Sequence, residues 1–150
     1  LFELGERLVI HTAHEFKTSA EHFQRMEAIV RANPALDGEV KKRPGGHVVG
    51  YRYSHGEESI TLQDGRRIEF KTRTKSGMRG FAGVDFLALD EAMYIREEGL
   101  NAALPILRAS KAERGPQVCF SGSAVDQESH EHGLVWARVR ERGCRVWRRR

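Results

Sequence analysis

Two rhythms of apolar and polar residues organise the first part of the chain. Arg7-Leu8-Val9-Ile10-His11-Thr12 is a short, β-branched apolar run, and Phe16, Ala20, Phe23, Met26 and Val30 follow it at spacings of three and four. The first rhythm predicts a strand and the second an amphipathic helix. Asn33-Pro34 predicts the end of that helix, because the residue before proline is pushed out of the α region. Residues 41–46 are basic and glycine-rich and read as a flexible loop. Residues 47–53 and 59–62 are β-prone, and Gln63-Asp64-Gly65 ahead of residues 66–70 predicts a β-hairpin, since Asp-Gly suits a tight turn between strands.

Further on, Gly77, Gly80 and Gly83 surround Met78, Arg79 and Phe81 and mark a loop. It feeds Val84-Asp85-Phe86-Leu87-Ala88-Leu89, a strand candidate apolar enough for burial on both faces, which runs into Asp90-Glu91. Leu100, Ala103, Leu104 and Leu107 predict a helix kinked at Pro105. Val118-Cys119-Phe120 predicts a short buried strand ending in Ser121-Gly122-Ser123, in which the Cys119 thiol acts as a small hydrophobe. A last helix is expected over residues 129–142, with Trp136 and Val139 among its apolar positions and Gly143 where a C-cap belongs, then a strand over 144–147. Outside the hairpin, strands and helices alternate. That order predicts an α/β domain with a mainly parallel sheet.

Composition narrows the class. A chain of 150 residues with 39% hydrophobic and 31% charged residues suits one folded domain, residues 1–150, and not a disordered segment. No apolar run approaches the ~20 residues a bilayer crossing needs, and the N-terminus lacks the pattern of a signal peptide, so no membrane is expected and the location is read as cytoplasmic. Cys119 and Cys144 lack the spacing of a metal or redox pair. The net charge of +4 gathers at residues 41–43, at Lys71, Arg73, Lys75 and Arg79, and in the last dozen residues. Such clusters fit either a polyanionic partner or an ordinary solvated surface.

The chemistry concentrates at Phe86-Leu87-Ala88-Leu89-Asp90-Glu91. A buried strand that delivers two acids to its C-terminal end has the form of a Walker B motif, because open α/β sheets bind ligands there. In phosphoryl transfer Asp90 would hold Mg²⁺, and Glu91 would orient and deprotonate the attacking water. A purely structural reading is also open, in which Asp90 caps the following helix and Glu91 lies in its first turn.

The order of features resembles the large terminase subunits of tailed phages over nearly the full length. The resemblance rests on the strand at 8–12 with its helix through Val30, the hairpin ending Ile68-Glu69-Phe70-Lys71-Thr72-Arg73-Thr74, the loop Gly77-Met78-Arg79-Gly80-Phe81, the box Leu87-Ala88-Leu89-Asp90-Glu91-Ala92, and Phe120-Ser121-Gly122-Ser123-Ala124. It implies a mainly parallel sheet of the additional-strand P-loop ATPase type with an inserted antiparallel β-hairpin, and a motor that packages double-stranded viral DNA in an infected bacterial host. ATP and Mg²⁺ are its implied cofactors. Its implied partners are DNA, the portal protein, the terminase small subunit and copies of itself in a ring. By the same resemblance Asp90 and Glu91 match Walker B and the catalytic acid, Ser121, Gly122 and Ser123 match the coupling motif, and Arg79 reaches the nucleotide of a neighbouring subunit. Arg79 paired with a local carboxylate, or lying in solvent, is the plain alternative.

One element of the pattern is missing. G-x-x-x-x-G-K-[ST], whose backbone and lysine cradle phosphates, occurs nowhere in the 150 residues. The expectation is therefore an ATPase domain incomplete at the N-terminus and inactive in isolation, with the phosphate loop upstream and a nuclease domain downstream. A helicase-like P-loop ATPase and a non-catalytic nucleic-acid-binding domain are the rival readings. The histidines, including His11 and His14 beside Glu15 and the run His130-Glu131-His132, lack the H-E-x-x-H spacing of a zinc site and read as surface or capping residues.

Overall fold

A computed structural model describes residues 2–3, 5–73, 81–113 and 115–123 of the chain. The first strand, β1 (Leu8–Ala13), is buried along almost its whole length, which marks it as an interior strand. Helix α1 (Phe16–Ala32) buries Ser19, Phe23 and Val30, a stripe set by the three-and-four spacing of its apolar residues. At Asn33 the backbone turns extended, with φ −112° and ψ 105°, as the following proline requires. The same Asn33 caps a short helix α2 (Pro34–Glu39), its Oδ1 accepting from the Ala35 N–H at 3.1 Å.

The remaining elements are β2 (Tyr51–Arg52), β3 (Ser59–Thr61), β4 (Arg67–Thr72), β5 (Phe86–Leu89), a 3₁₀ turn (Ala92–Tyr94), α3 (Glu97–Leu107) and β6 (Gln117–Phe120). The six strands form one sheet in the order β2-β3-β4-β1-β5-β6. β2 pairs with β3, and β3 with β4, in antiparallel fashion. The β4, β1, β5 and β6 strands all run parallel, so their carboxyl ends meet at one edge.

Alternation along the strands divides the core into two layers. Leu8, Ile10, Leu87 and Leu89 face one side and pack with Ile106 and Leu107 of α3. Val9, Ile60, Ile68 and Phe70 face the other and pack with Phe23 and Val30 of α1. The architecture is α/β, with a mixed, mostly parallel, open sheet and helices on both faces. Among the described residues, no helix is long and apolar enough to cross a membrane.

Three sequence expectations change. Residues 41–46 are not a free loop: the Lys41 N–H donates to Thr61 O at 2.9 Å and the Arg43 N–H to His47 O at 2.9 Å, so the segment is a tight turn secured to the sheet. The strand expected over 47–53 shrinks to Tyr51–Arg52. Ahead of it the chain presses against its neighbours at Gly50, where a Cβ would lie 2.4 Å from Thr61 O. Cys119 is exposed and not buried, because β6 pairs only with β5 among the described strands and turns alternate residues away from the core. Pro105 lies within α3, which ends two residues later. The helix expected over 129–142, with Trp136, and the strand over 144–147 fall outside the described residues.

Candidate active site

The parallel ladder continues past the strand ends and builds a small platform. The Asp90 N–H donates to Thr12 O at 2.9 Å, the Ser121 N–H to Leu89 O at 3.0 Å, and the Ala92 N–H to Ser121 O at 2.8 Å. Three chain segments are thereby fixed at the C-terminal edge of β1, β5 and β6. Both Asp90 and Glu91 stand there, as does Ser121, whose hydroxyl donates to Asp90 Oδ1 at 2.7 Å. Half-burial alone would raise the Asp90 carboxyl pKa. The Ser121 hydroxyl, the Glu91 N–H and the nearby His22 and His11 outweigh that and hold it below its ordinary 3.8. At neutral pH Asp90 is therefore a carboxylate.

Glu91 has an unusual backbone. Its φ of 51° and ψ of 48° are left-handed, and among the described residues it is the one non-glycine with positive φ. That conformation costs an L-residue roughly 1–2 kcal/mol. The surroundings enforce it. Arg73, just beyond β4, donates from Nη2 to Glu91 O at 3.0 Å, and from Nη1 to Asp90 O and to Thr12 O, the last at 3.3 Å. The His14 N–H donates to Glu91 Oε2 at 2.8 Å. Burial lowers the Arg73 pKa to about 10, against the opposing pull of Glu91 and Asp90, and it stays cationic at neutral pH. Glu91 stands at the N-cap position of the 3₁₀ turn, but no side-chain hydrogen bond caps that turn.

Gly122 brings the end of β6 against the acid turn. A Cβ there would lie 3.1 Å from Ala92 N and 3.3 Å from Met93 Sδ, so a larger residue would push directly on the segment after Glu91. Ser123 lies beyond, exposed. Arg79 falls outside the described residues.

Histidines enter the same edge from the α1 side. His11 on β1 packs against Phe70, ring centroids 5.5 Å apart, and against His22 of α1 at 4.7 Å. His22 Nδ1 lies 3.0 Å from His11 Nε2 and 3.6 Å from Asp90 Oδ2. Burial, with a smaller push from His22, lowers the His11 pKa to about 4, so His11 is neutral at physiological pH. The sequence grouping of His11 with His14 and Glu15 is not what the fold assembles: the His14 ring stacks on Tyr94 at 4.8 Å, and Glu15 precedes α1. His130 and His132 lie outside the described residues.

Sequence reasoning missed His22 and Arg73 as members of this edge. His22 immediately precedes Phe23 in the inward register of α1, and Arg73 directly follows the last residue of β4. Those positions were the available signals, yet they point to Asp90 only once the strand order is known.

A second feature lies on the antiparallel side of the sheet. A cleft of about 590 Å³ is lined by Lys41, Arg43, Arg52, Arg67 and Lys71, with Glu57 and Glu69 as its carboxylates. Five cations against two acids make it electropositive, although Arg52 pairs with Glu57, and Arg67 and Lys71 with Glu69. In comparisons with known proteins, no protein-family model and no curated protein matches the chain.

Proposed function

We propose that this chain is the acid-pair portion of a phage terminase large-subunit ATPase, part of a motor that drives double-stranded DNA into a capsid. The observation that carries the reading is the hydrogen-bonded join between the Asp90-Glu91-Ala92 turn and Ser121-Gly122 at the C-terminal edge of adjacent parallel strands. Hydrolysis needs an acid pair held rigidly, and coupling hydrolysis to movement needs a second segment that feels any shift of that pair. Both needs are met by contacts within a few residues.

The strand order supports the reading. In additional-strand ATPases the strand after Walker B separates it from the strand that carries the phosphate loop. Here β6 lies beyond β5 with its other edge unpaired among the described strands, and its Val118 and Phe120 are unlike the charged residues that usually protect an edge. A further strand bearing the phosphate loop, from sequence outside these 150 residues, would complete the site.

ATP would supply the transferable phosphoryl group and Mg²⁺ the charge neutralisation. Asp90, an ionised oxygen donor, fits Mg²⁺, whereas the phosphate cradle is not in this sequence. Ser121 fixes the orientation of the Asp90 carboxylate, and Glu91 receives the proton of the attacking water. Arg73 holds the carbonyls of both acids and so keeps their side chains from drifting. The electropositive cleft suits DNA phosphates, whose neutralisation supplies sequence-independent affinity. Portal protein, small subunit and a ring of identical copies complete the proposed assembly.

The reading is tested by extending the chain along its own upstream reading frame and measuring Mg²⁺-dependent ATP binding and turnover. The expected outcome is a G-x-x-x-x-G-K-[ST] loop upstream and turnover by the extended protein. An intact frame without any glycine-lysine loop, and a protein that fails to bind ATP, would overturn it. Arg79 is examined by mixing: an Arg79→Ala subunit combined with a Glu91→Ala subunit should regain part of the activity each lacks, since some interfaces then join an intact Glu91 to an intact Arg79. Mixtures no more active than the separate variants, under conditions where rings form, would remove Arg79 from a role across the interface.

A further inference from the structure

We infer that His11, His22 and Asp90 form a three-ligand site for a transition-metal ion of the zinc type, which shares Asp90 with the proposed magnesium–nucleotide site and so competes with Mg²⁺ for that carboxylate. The inference goes beyond the ATPase reading and does not rest on it. Among the described residues, these three place one ligand atom each within 4.8 Å of one another. His22 Nδ1 is 3.0 Å from His11 Nε2 and 3.6 Å from Asp90 Oδ2. Ligands about 2.0–2.1 Å from a tetrahedral ion are separated by about 3.3 Å, a value these two distances bracket.

Hydrogen bonding within the cluster does not satisfy it. If His22 Nδ1 carries the proton, it can donate fully to His11 Nε2 or to Asp90, and the other electron pair is left facing the cluster. If His11 Nε2 carries it instead, the His22 Nδ1 lone pair faces a carboxylate at 3.6 Å, and His11 Nδ1 becomes a buried lone pair with no partner. Three electron-pair donors converge where one proton is available. A cation satisfies these three facing atoms at once, with the His11 proton on Nδ1, which has no partner among the described residues.

The surroundings suit that use. Ala88, paired in register with His11, leaves room on this face of the sheet for the His22 ring. Phe70 packs against the His11 ring, and Ser121 holds the Asp90 oxygen that does not face the histidines, as outer partners of metal ligands commonly do. Arg73, whose charge acts on His11, directs its fork at the backbone carbonyls of Thr12, Asp90 and Glu91. Two imidazoles with one carboxylate favour Zn²⁺, Co²⁺ or Ni²⁺, whereas Mg²⁺ prefers oxygen donors.

The test is a titration of the chelator-stripped chain with Co²⁺ and then Zn²⁺, without nucleotide, read by ligand-field absorption and calorimetry. One equivalent should bind with a low-coordinate cobalt spectrum, Zn²⁺ should displace it, and millimolar Mg²⁺ should not. His22→Ala and Asp90→Asn should each weaken binding by at least about 100-fold, with unchanged circular dichroism showing that the fold persists. A His130→Ala/His132→Ala variant should bind as the parent does. The assignment is overturned if the parent binds no ion, if His22→Ala keeps the parent affinity, or if affinity disappears in the His130→Ala/His132→Ala variant. Because the titration contains no ATP, its failure leaves the nucleotide reading standing, and loss of ATPase activity in the longer protein leaves this site standing.

Discussion

The two ends of β5 each carry an aspartate, and the fold treats them in opposite ways. At the amino end Asp85 is buried, and every contact it makes serves the fold. Its Oδ2 accepts from the Arg7 N–H at 2.7 Å and the Leu8 N–H at 3.4 Å, while Oδ1 accepts from the Ser110 hydroxyl at 2.6 Å. At the carboxyl end Asp90 has one good side-chain donor, Ser121, and faces two histidines that compete for a proton, next to a left-handed Glu91. Asp85 has its hydrogen bonds and no strain, whereas the Asp90 end holds strain and unmet donors. Local strain and incomplete pairing persist where surrounding structure enforces them, and they concentrate at functional sites. The same residue type in one strand thus has a structural use at one end and an available carboxylate at the other.

Removing each acid gives the largest expected contrast. Asp85→Ala removes the buried acceptor of two backbone N–H groups and of the Ser110 hydroxyl, and should lower unfolding free energy by about 3 kcal/mol in urea titrations. Asp90→Ala should cost less than about 1 kcal/mol. Comparable losses for the two would erase the distinction. The acid limb gives a second measure of what Asp85 does. Burial raises the Asp85 pKa, but the hydrogen bonds from Ser110, Arg7 and Leu8 outweigh it and bring the folded value below 3.8. The unfolded chain therefore takes up the proton first, so this stabilisation is complete above the unfolded pKa and is lost as pH falls through the folded one. Asp85→Asn should flatten the stability profile below about pH 4.

Glycines at the two ends make a smaller contrast. Gly83, with φ +74° and a would-be Cβ 3.1 Å from Ala109 O, should lose about 2 kcal/mol on change to alanine. Gly122, without positive φ, should lose only about 1 kcal/mol, yet its Cβ would press on Ala92 and shift the acid turn. In a turnover-competent longer protein, Gly122→Ala should therefore depress kcat more than Gly83→Ala although it destabilises less. The reverse order would detach Gly122 from the site.

The smallest effect has the opposite sign. Glu91→Gly removes the left-handed penalty and loses the His14 contact, and should leave stability unchanged or raise it by up to about 1 kcal/mol. A loss above that amount would show that the Glu91 side chain serves the fold.

Much of the arrangement was legible in the sequence. Residues 7–12 and 84–89 read as strands because apolar, β-branched runs have few other folded uses, and the acids at 90–91 followed as a strand end. What pattern alone did not carry was which strands lie side by side. Placing β1 between β4 and β5 brings His11, His22 and Arg73 to Asp90, residues separated by as many as 79 positions in the chain (90 − 11). The left-handed backbone of Glu91 was equally hidden, since it is imposed by Arg73 and β6 and not by local preference. Cys119 is exposed although its apolar triplet reads as a buried strand, because the triplet does not say that β6 pairs on one side only among the described strands.

If the carboxyl end of β5 is the nucleotide-hydrolysing centre proposed above, two single variants in a protein extended upstream test it most directly. Glu91→Ala should bind Mg²⁺-ATP with nearly the parent affinity while turnover falls by at least ~100-fold, and Asp90→Ala should lose magnesium-dependent binding as well as turnover. Near-parent hydrolysis by Glu91→Ala, or magnesium-dependent binding unchanged by Asp90→Ala, would contradict the account.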